Sequence, residues 1–221
     1  MCLKKLFQAI RKGDLHAIRE LLDKKPELIA CTAKQPPKKD DGQSPLQVAL
    51  KTGQLAIAEL LLDRNADVCF IESPDCCNAW RAPVIHDAIN AAVMLSRWNV
   101  YDELLYGGLK VFSTQEDACR AYQILARMIG MGADVNAVDS YGNSGIWRAC
   151  LQARQILPAY NYQTGTVSDN RRLTPELKDD LMRIFSLLHE SGADFDYCKP
   201  NETMSVRTMF ASEPLAQFLT F

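Results

Sequence analysis

The chain has 221 residues, 48% of them hydrophobic and 24% charged, with a formal net charge of −2. Such a composition fits a folded globular chain or a short stack of repeats, and it gives no global pull toward nucleic acid or an anionic membrane. No apolar run approaches the ~18 residues needed to span a bilayer.

The opening Met1-Cys2-Leu3-Lys4-Lys5-Leu6-Phe7 lacks an uninterrupted apolar h-region, so no signal peptide is expected and a cytoplasmic location is. The eight cysteines are then expected as reduced thiols. Cys76-Cys77, with His86 nearby, lacks the paired CxxC spacing of a zinc site, so no metal is expected; the other cysteines read as small core fillers. Residues 1–39 hold ten Lys or Arg against four Asp or Glu, which is +6 and leaves −8 for the rest. That basic edge reads as a solvated cap or as a surface favouring an acidic partner.

Along the chain, self-similarity is the main signal. Ala9-Ile10-Arg11-Lys12-Gly13 matches Ala49-Leu50-Lys51-Thr52-Gly53, and apolar residues follow each glycine at equal offsets: Leu15 and Leu55, Ile18 and Ala58, Leu21 and Leu61, Leu22 and Leu62. This predicts a short helix ending near glycine, then a second helix with one apolar stripe. Neither could bury its face alone. In Gly42-Gln43-Ser44-Pro45-Leu46-Gln47-Val48-Ala49, Ser44 can cap a helix that Pro45 starts. The outer helices end in Leu61-Leu62-Asp63-Arg64-Asn65-Ala66-Asp67-Val68, Met128-Ile129-Gly130-Met131-Gly132-Ala133-Asp134-Val135 and Leu188-His189-Glu190-Ser191-Gly192-Ala193-Asp194-Phe195. Asn65, Gly132 and Gly192 stand where a helix end needs a left-handed residue.

Together these elements resemble the ankyrin repeat, with its D-x-x-G-x-T-P-L-H-x-A opening and its L-L-x-x-G-A-D close. Residues 40–68 match nearly throughout, with Ser44 for Thr and Gln47 for His; Asp139–Ala149 is a second copy, with Gly145 for Pro, and Pro83–Ala88 a weaker one. The resemblance implies an all-α solenoid of about five helix-pair units with short β-hairpin or finger loops, forming one domain over 1–221. The expected units are a cap at 3–29, repeats at 39–68, 78–135 and 139–195, and a C-terminal cap at 199–221. Two of them are long: Ala88 to Ala149 spans 61 residues and Asp134 to Asp194 spans 60, against about 33 for a standard unit. The extra length is expected between helices, at 93–116 and 154–174. The first segment carries Trp98, Tyr101, Tyr106 and Phe112, with Gly107-Gly108 as a break, and the second carries Tyr160 and Tyr162.

No catalytic constellation emerges. His16, His86 and His189 have structural readings, and His86 takes the repeat histidine position, where the resemblance implies backbone bonding between repeats. Asp179-Asp180 reads as a solvated helix face. The chain is therefore not expected to be an enzyme, and no cofactor is implied. The expected function is that of a monomeric, non-catalytic module that binds another protein as an adaptor or inhibitor, immunity-like or effector-like, with neither nucleic acid nor membrane as its partner. The alternative is a ligand-binding or enzymatic subdomain built from 93–116 and 154–174.

In ankyrin-like stacks, hairpin tips and inner helices form a concave binding surface. Carried over by position, this nominates Arg11, Lys12, Asp40, Asp41, Gln43, Lys51, Thr52, Trp80, Arg81, Asn90, Tyr141, Asn143 and Gln152. Trp80 and Tyr141 are the expected anchors, because packing does not demand an aromatic at a hairpin tip. Trp147, in place of the repeat histidine, is expected in the core.

Overall fold

A computed structural model describes residues 2–105 and 108–221; Met1, Tyr106 and Gly107, the last two from the aromatic segment above, lie outside the described residues. Helices dominate in an all-α repeat arrangement that carries two small antiparallel strand pairs. The chain divides into two compact units. One holds the residues up to Ala91 with Ile124–Asp134 and Val138–Tyr141; the other holds Ala92–Gln123, Val135–Ala137 and Gly142–Phe221.

The first unit starts with α1 (Cys2–Lys12) and α2 (Leu15–Lys24), then α3 (Pro45–Lys51) and α4 (Leu55–Asp63). Helix α1 packs on α2 and α3, α3 on α4, and α2 on α4, so two helix pairs stack in register. Each helix has a local cause. The Asp14 carboxylate caps α2 by accepting the Ala17 N–H at 3.0 Å. At α3 the Ser44 hydroxyl accepts the Gln47 N–H and the Gln47 side chain accepts the Ser44 N–H, a capping box that precedes Pro45. The freed amide of Gln47 then donates to the Ala82 carbonyl at 3.1 Å, 35 residues away. This glutamine thus ties the start of α3 to the backbone at Ala82. Every residue from Pro45 to Leu50 is buried, and Leu6, Ile10, Ile18, Leu22, Ile57 and Leu61 complete the core. Asn65, Gly132 and Gly192 all have positive φ (58°, 99° and 84°), as the helix ends require.

Helices α5 (Val84–Met94) and α6 (Gln115–Gly130) contribute residues to both units. In the second unit, β1 (Asn99–Asp102) pairs with β2 (Gly108–Val111), with Asn99 opposite Val111. After α7 (Gly145–Ile156) come β3 (Tyr160–Asn161) and β4 (Thr166–Val167), then α8 (Pro175–Glu190) and α9 (Val206–Met209). Leu177, Leu181, Ile184, Phe185 and Leu188 recur at helical spacing and give α8 its buried face. An aromatic core forms where Phe185 stacks on Phe218 at 5.6 Å and Trp147 meets Phe210 edge-on at 5.5 Å. Trp147 is buried, as expected.

Two expectations need correction. Asp180 is not solvated: it is buried, and Arg97 binds it through Nε at 2.9 Å and Nη2 at 2.8 Å. Its neighbour Asp179 is exposed, because one step along a helix turns a residue by about 100° onto another face. The cysteines are unpaired, but of those read as core fillers Cys69 and Cys198 are exposed; Cys150 is the buried one, and burial pushes its thiol pKa far up.

Candidate interaction surface

Three loops of the first unit, 31–43, 69–83 and 138–141, are tied in sequence by side chains that the repeat pattern places at their bends. Asp41 joins the first to the second. Its Oδ2 accepts the Cys77 N–H at 2.9 Å, its Oδ1 accepts the Gln35 N–H at 3.2 Å, and its carbonyl accepts the Asn78 amide at 3.0 Å. The Cys77 N–H, ahead of the cost of burial, holds the Asp41 carboxyl below its ordinary range. Gly42 permits this approach. Its φ is +82°, and a Cβ there would lie 2.5 Å from that of Cys76.

Asp139 joins the second loop to the third. Buried at 4% exposure, it accepts the Trp80 indole N–H on Oδ2 and the Tyr141 backbone N–H on Oδ1, both at 2.9 Å. Ser140 adds three bonds: its hydroxyl accepts the Arg81 N–H and donates to the Ala79 carbonyl, and its N–H donates to the Arg81 carbonyl. One carboxylate therefore holds the Trp80 ring through its indole N–H and the backbone turn that presents Tyr141. Sequence reasoning missed Asp139 because the repeat pattern marks the position as a bend and says nothing of an indole 59 residues away.

The nominated residues separate by exposure. Asp40, Asp41, Gln43 and Asn143 were expected to face a partner, but they are buried at 1%, 8%, 3% and 8%. The reason is local charge and hydrogen-bond matching. Asp40 is paired with Arg11 Nη1 at 2.8 Å, and Gln43 bridges Glu72 at 3.3 Å and Lys51 at 3.0 Å. Thr52 is half-buried and donates its hydroxyl to the Val48 carbonyl at 2.7 Å. Asn90 is half-buried, and its side-chain oxygen has no hydrogen-bond partner among the described residues. Lys12, Lys51 and Tyr141 are exposed, Tyr141 at 62%, while Arg11, Trp80 and Arg81 are half-buried. All of these from Arg11 to Tyr141 belong to the first unit; Asn143 and the half-buried Gln152 belong to the second.

In the second unit, the β1 segment is fastened to the residues before α8. Tyr101 N–H donates to the Asn170 carbonyl at 2.9 Å, and the Asn99 side chain bonds the Arg172 backbone in both directions, at 2.8 and 2.9 Å. Trp98 stacks on Phe112 at 4.2 Å, with Arg171 against the indole and Lys110 against the phenyl ring. Tyr160 meets Tyr162 edge-on at 5.0 Å. A cavity of about 100 Å³ lies beside Tyr160, Arg154 and Glu213. Its charged groups answer each other: Arg154 pairs with Glu213 at 3.0 Å, and the Tyr162 hydroxyl donates to the same carboxylate. Desolvation, then Glu213, raises the Tyr162 pKa. Among the described residues no cluster of three His, Cys, Asp or Glu is arranged to hold a metal, and no helix is long and apolar enough to cross a membrane.

Residues 4–71 match a family model described as ankyrin repeats (3 copies), which spans α1 to α4 and the start of the second loop. No curated protein matches the chain.

Proposed function

We propose that this chain, which carries ankyrin repeats, is a non-catalytic adaptor or inhibitor that binds another protein through the looped edge of its first unit. Ankyrin repeats are in general protein-interaction modules and are typically non-enzymatic. The observation that carries the reading is the pairing of exposed Tyr141 with half-buried Trp80 on one buried carboxylate. An indole fixed before contact, and a tyrosine presented on a braced turn, lose less entropy on binding, which favours them as anchors. Arg81 adjoins Trp80, and exposed Lys12 and Lys51 are further candidate contacts of the same unit, while Asp40, Asp41 and Gln43 are buried as supports. On this reading the protein acts as a cytoplasmic monomer, the five-unit division stands, and 93–116 and 154–174 are ordered insertions with their own aromatic packing.

The test is calorimetry with a partner isolated from the native cell. Tyr141→Ala should weaken binding by about tenfold or more while leaving thermal unfolding unchanged. Full affinity in both Tyr141→Ala and Trp80→Ala would move the interface elsewhere.

A further inference from the structure

A groove of about 90 Å³ lies between α1 and the first loop, lined by Leu3, Lys4, Phe7, Arg11, Lys34, Gln35 and Pro36. Its wall is apolar and its rim is cationic, and among the described residues no carboxylate lines it, Asp41 being turned to the Gln35 and Cys77 N–H groups. Arg11 is already neutralised by buried Asp40. Lys4 and Lys34 are exposed, and neither forms an ion pair among the described residues. The groove sits in the segment that carries +6, in a chain whose remainder carries −8.

We propose that this groove is the docking site for an acidic linear peptide segment of the partner protein, with one aliphatic side chain of the segment in the groove and its carboxylates on Lys4 and Lys34. The proposal rests on the reading of the first unit as a protein-binding surface and names the chemistry of the partner. Charge complementarity selects an anionic occupant, and two further observations select a peptide. Phe7 is only 3% exposed, so the groove offers no ring face on which a nucleic-acid base could stack. Among the described residues the exposed large hydrophobics begin at Ile71, so residues 2–39 present no large exposed apolar side chain to insert into a bilayer. A small apolar slot ringed by lysine instead fits a side-chain anchor flanked by carboxylates, and the lysines raise the rate of encounter.

The probe is a fluorescein-labelled peptide of glutamates around one central leucine, read by anisotropy against the full chain at low and high salt. Its control has glutamine for every glutamate. The acidic peptide should bind saturably, more weakly as salt rises, and about tenfold or more above the control. Lys4→Glu with Lys34→Glu should remove that advantage, and backbone amide shifts should centre on residues 3–11 and 34–35. Both lysines are exposed, so the variant should melt as the native chain does. Equal binding of both peptides, equal binding by the variant, or tighter binding of a single-stranded oligonucleotide or phosphatidylserine vesicles at the same residues would each overturn the proposal. The two readings fail separately. A native partner that binds the lysine variant normally but not Tyr141→Ala removes the peptide site and keeps the wider surface. A partner indifferent to Tyr141→Ala and Trp80→Ala, while the peptide still needs Lys4 and Lys34, does the reverse.

Discussion

Replacing Asp139 by alanine removes the acceptor shared by the Trp80 indole and the Tyr141 backbone N–H, each at 2.9 Å. Both bonds go to a carboxylate that is 4% exposed, where hydrogen bonds to a charged group contribute about 1.5–3 kcal/mol each. Taking the lower end for both gives a loss of about 3 kcal/mol, or a fall in Tm of roughly 6–12 °C for a chain of this size. Asparagine keeps one acceptor oxygen, so Asp139→Asn should lose about half as much. Urea and thermal unfolding followed by circular dichroism measure the loss. The indole N–H resonance of Trp80 reports the bond itself and should move toward the solvent-exposed position in the alanine variant. An alanine variant within about 0.5 kcal/mol of the native chain, with that resonance unmoved, refutes the assignment of Asp139 as the residue that holds the Trp80 ring and the Tyr141 turn.

Further outcomes can be measured in the same way. Arg97→Ala leaves the Asp180 carboxylate, 6% exposed, with only the backbone N–H of residue 97 and should destabilise by about 3 kcal/mol in urea unfolding, whereas Arg97→Met with Asp180→Leu should recover only part of the loss because that N–H then loses its acceptor; a loss under about 1 kcal/mol would make the pair a surface contact. Gly42→Ala forces a side chain onto φ +82° and against Cys76, and should lower stability by about 2 kcal/mol; a neutral result would contradict the close approach of the loops. The depressed pKa of Asp41 means that its stabilising contacts are fully present above the ordinary carboxylate value of 3.8 and are lost as pH falls through the lower folded value. The stability gap between native chain and Asp41→Asn should therefore stay level from neutral pH downward and close below 3.8, and a gap that widens there would refute the linkage.

What the sequence made legible was local. The capping box at Ser44 and Gln47 and the left-handed ends at Asn65, Gly132 and Gly192 involve neighbours a few residues apart, so residue type and spacing suffice to read them. The burial of Trp147 followed likewise from a position that faces inward in the repeat. Contacts between loops were not legible. Periodicity assigns a helix face, but it cannot pair Arg97 with Asp180 across 83 residues, and so it left that aspartate in solvent. Nor can it tell a loop residue that meets a partner from one that braces the next loop. The ankyrin resemblance nominates Asp40, Asp41 and Gln43 for partner contact, yet Arg11, the Cys77 N–H and Glu72 take up their polar groups. Asp139 was passed over for the converse reason, since a bend residue carries no mark of the indole it will hold.

The central claim, that the looped edge of the first unit binds another protein, is tested most directly by hydrogen exchange on the complex with a native partner. Protection should concentrate in α1, the C-terminal half of α3 and the loops at 31–43, 69–83 and 138–141. Protection confined to β1–β2 and β3–β4, with those loops exchanging as in the free chain, would contradict it.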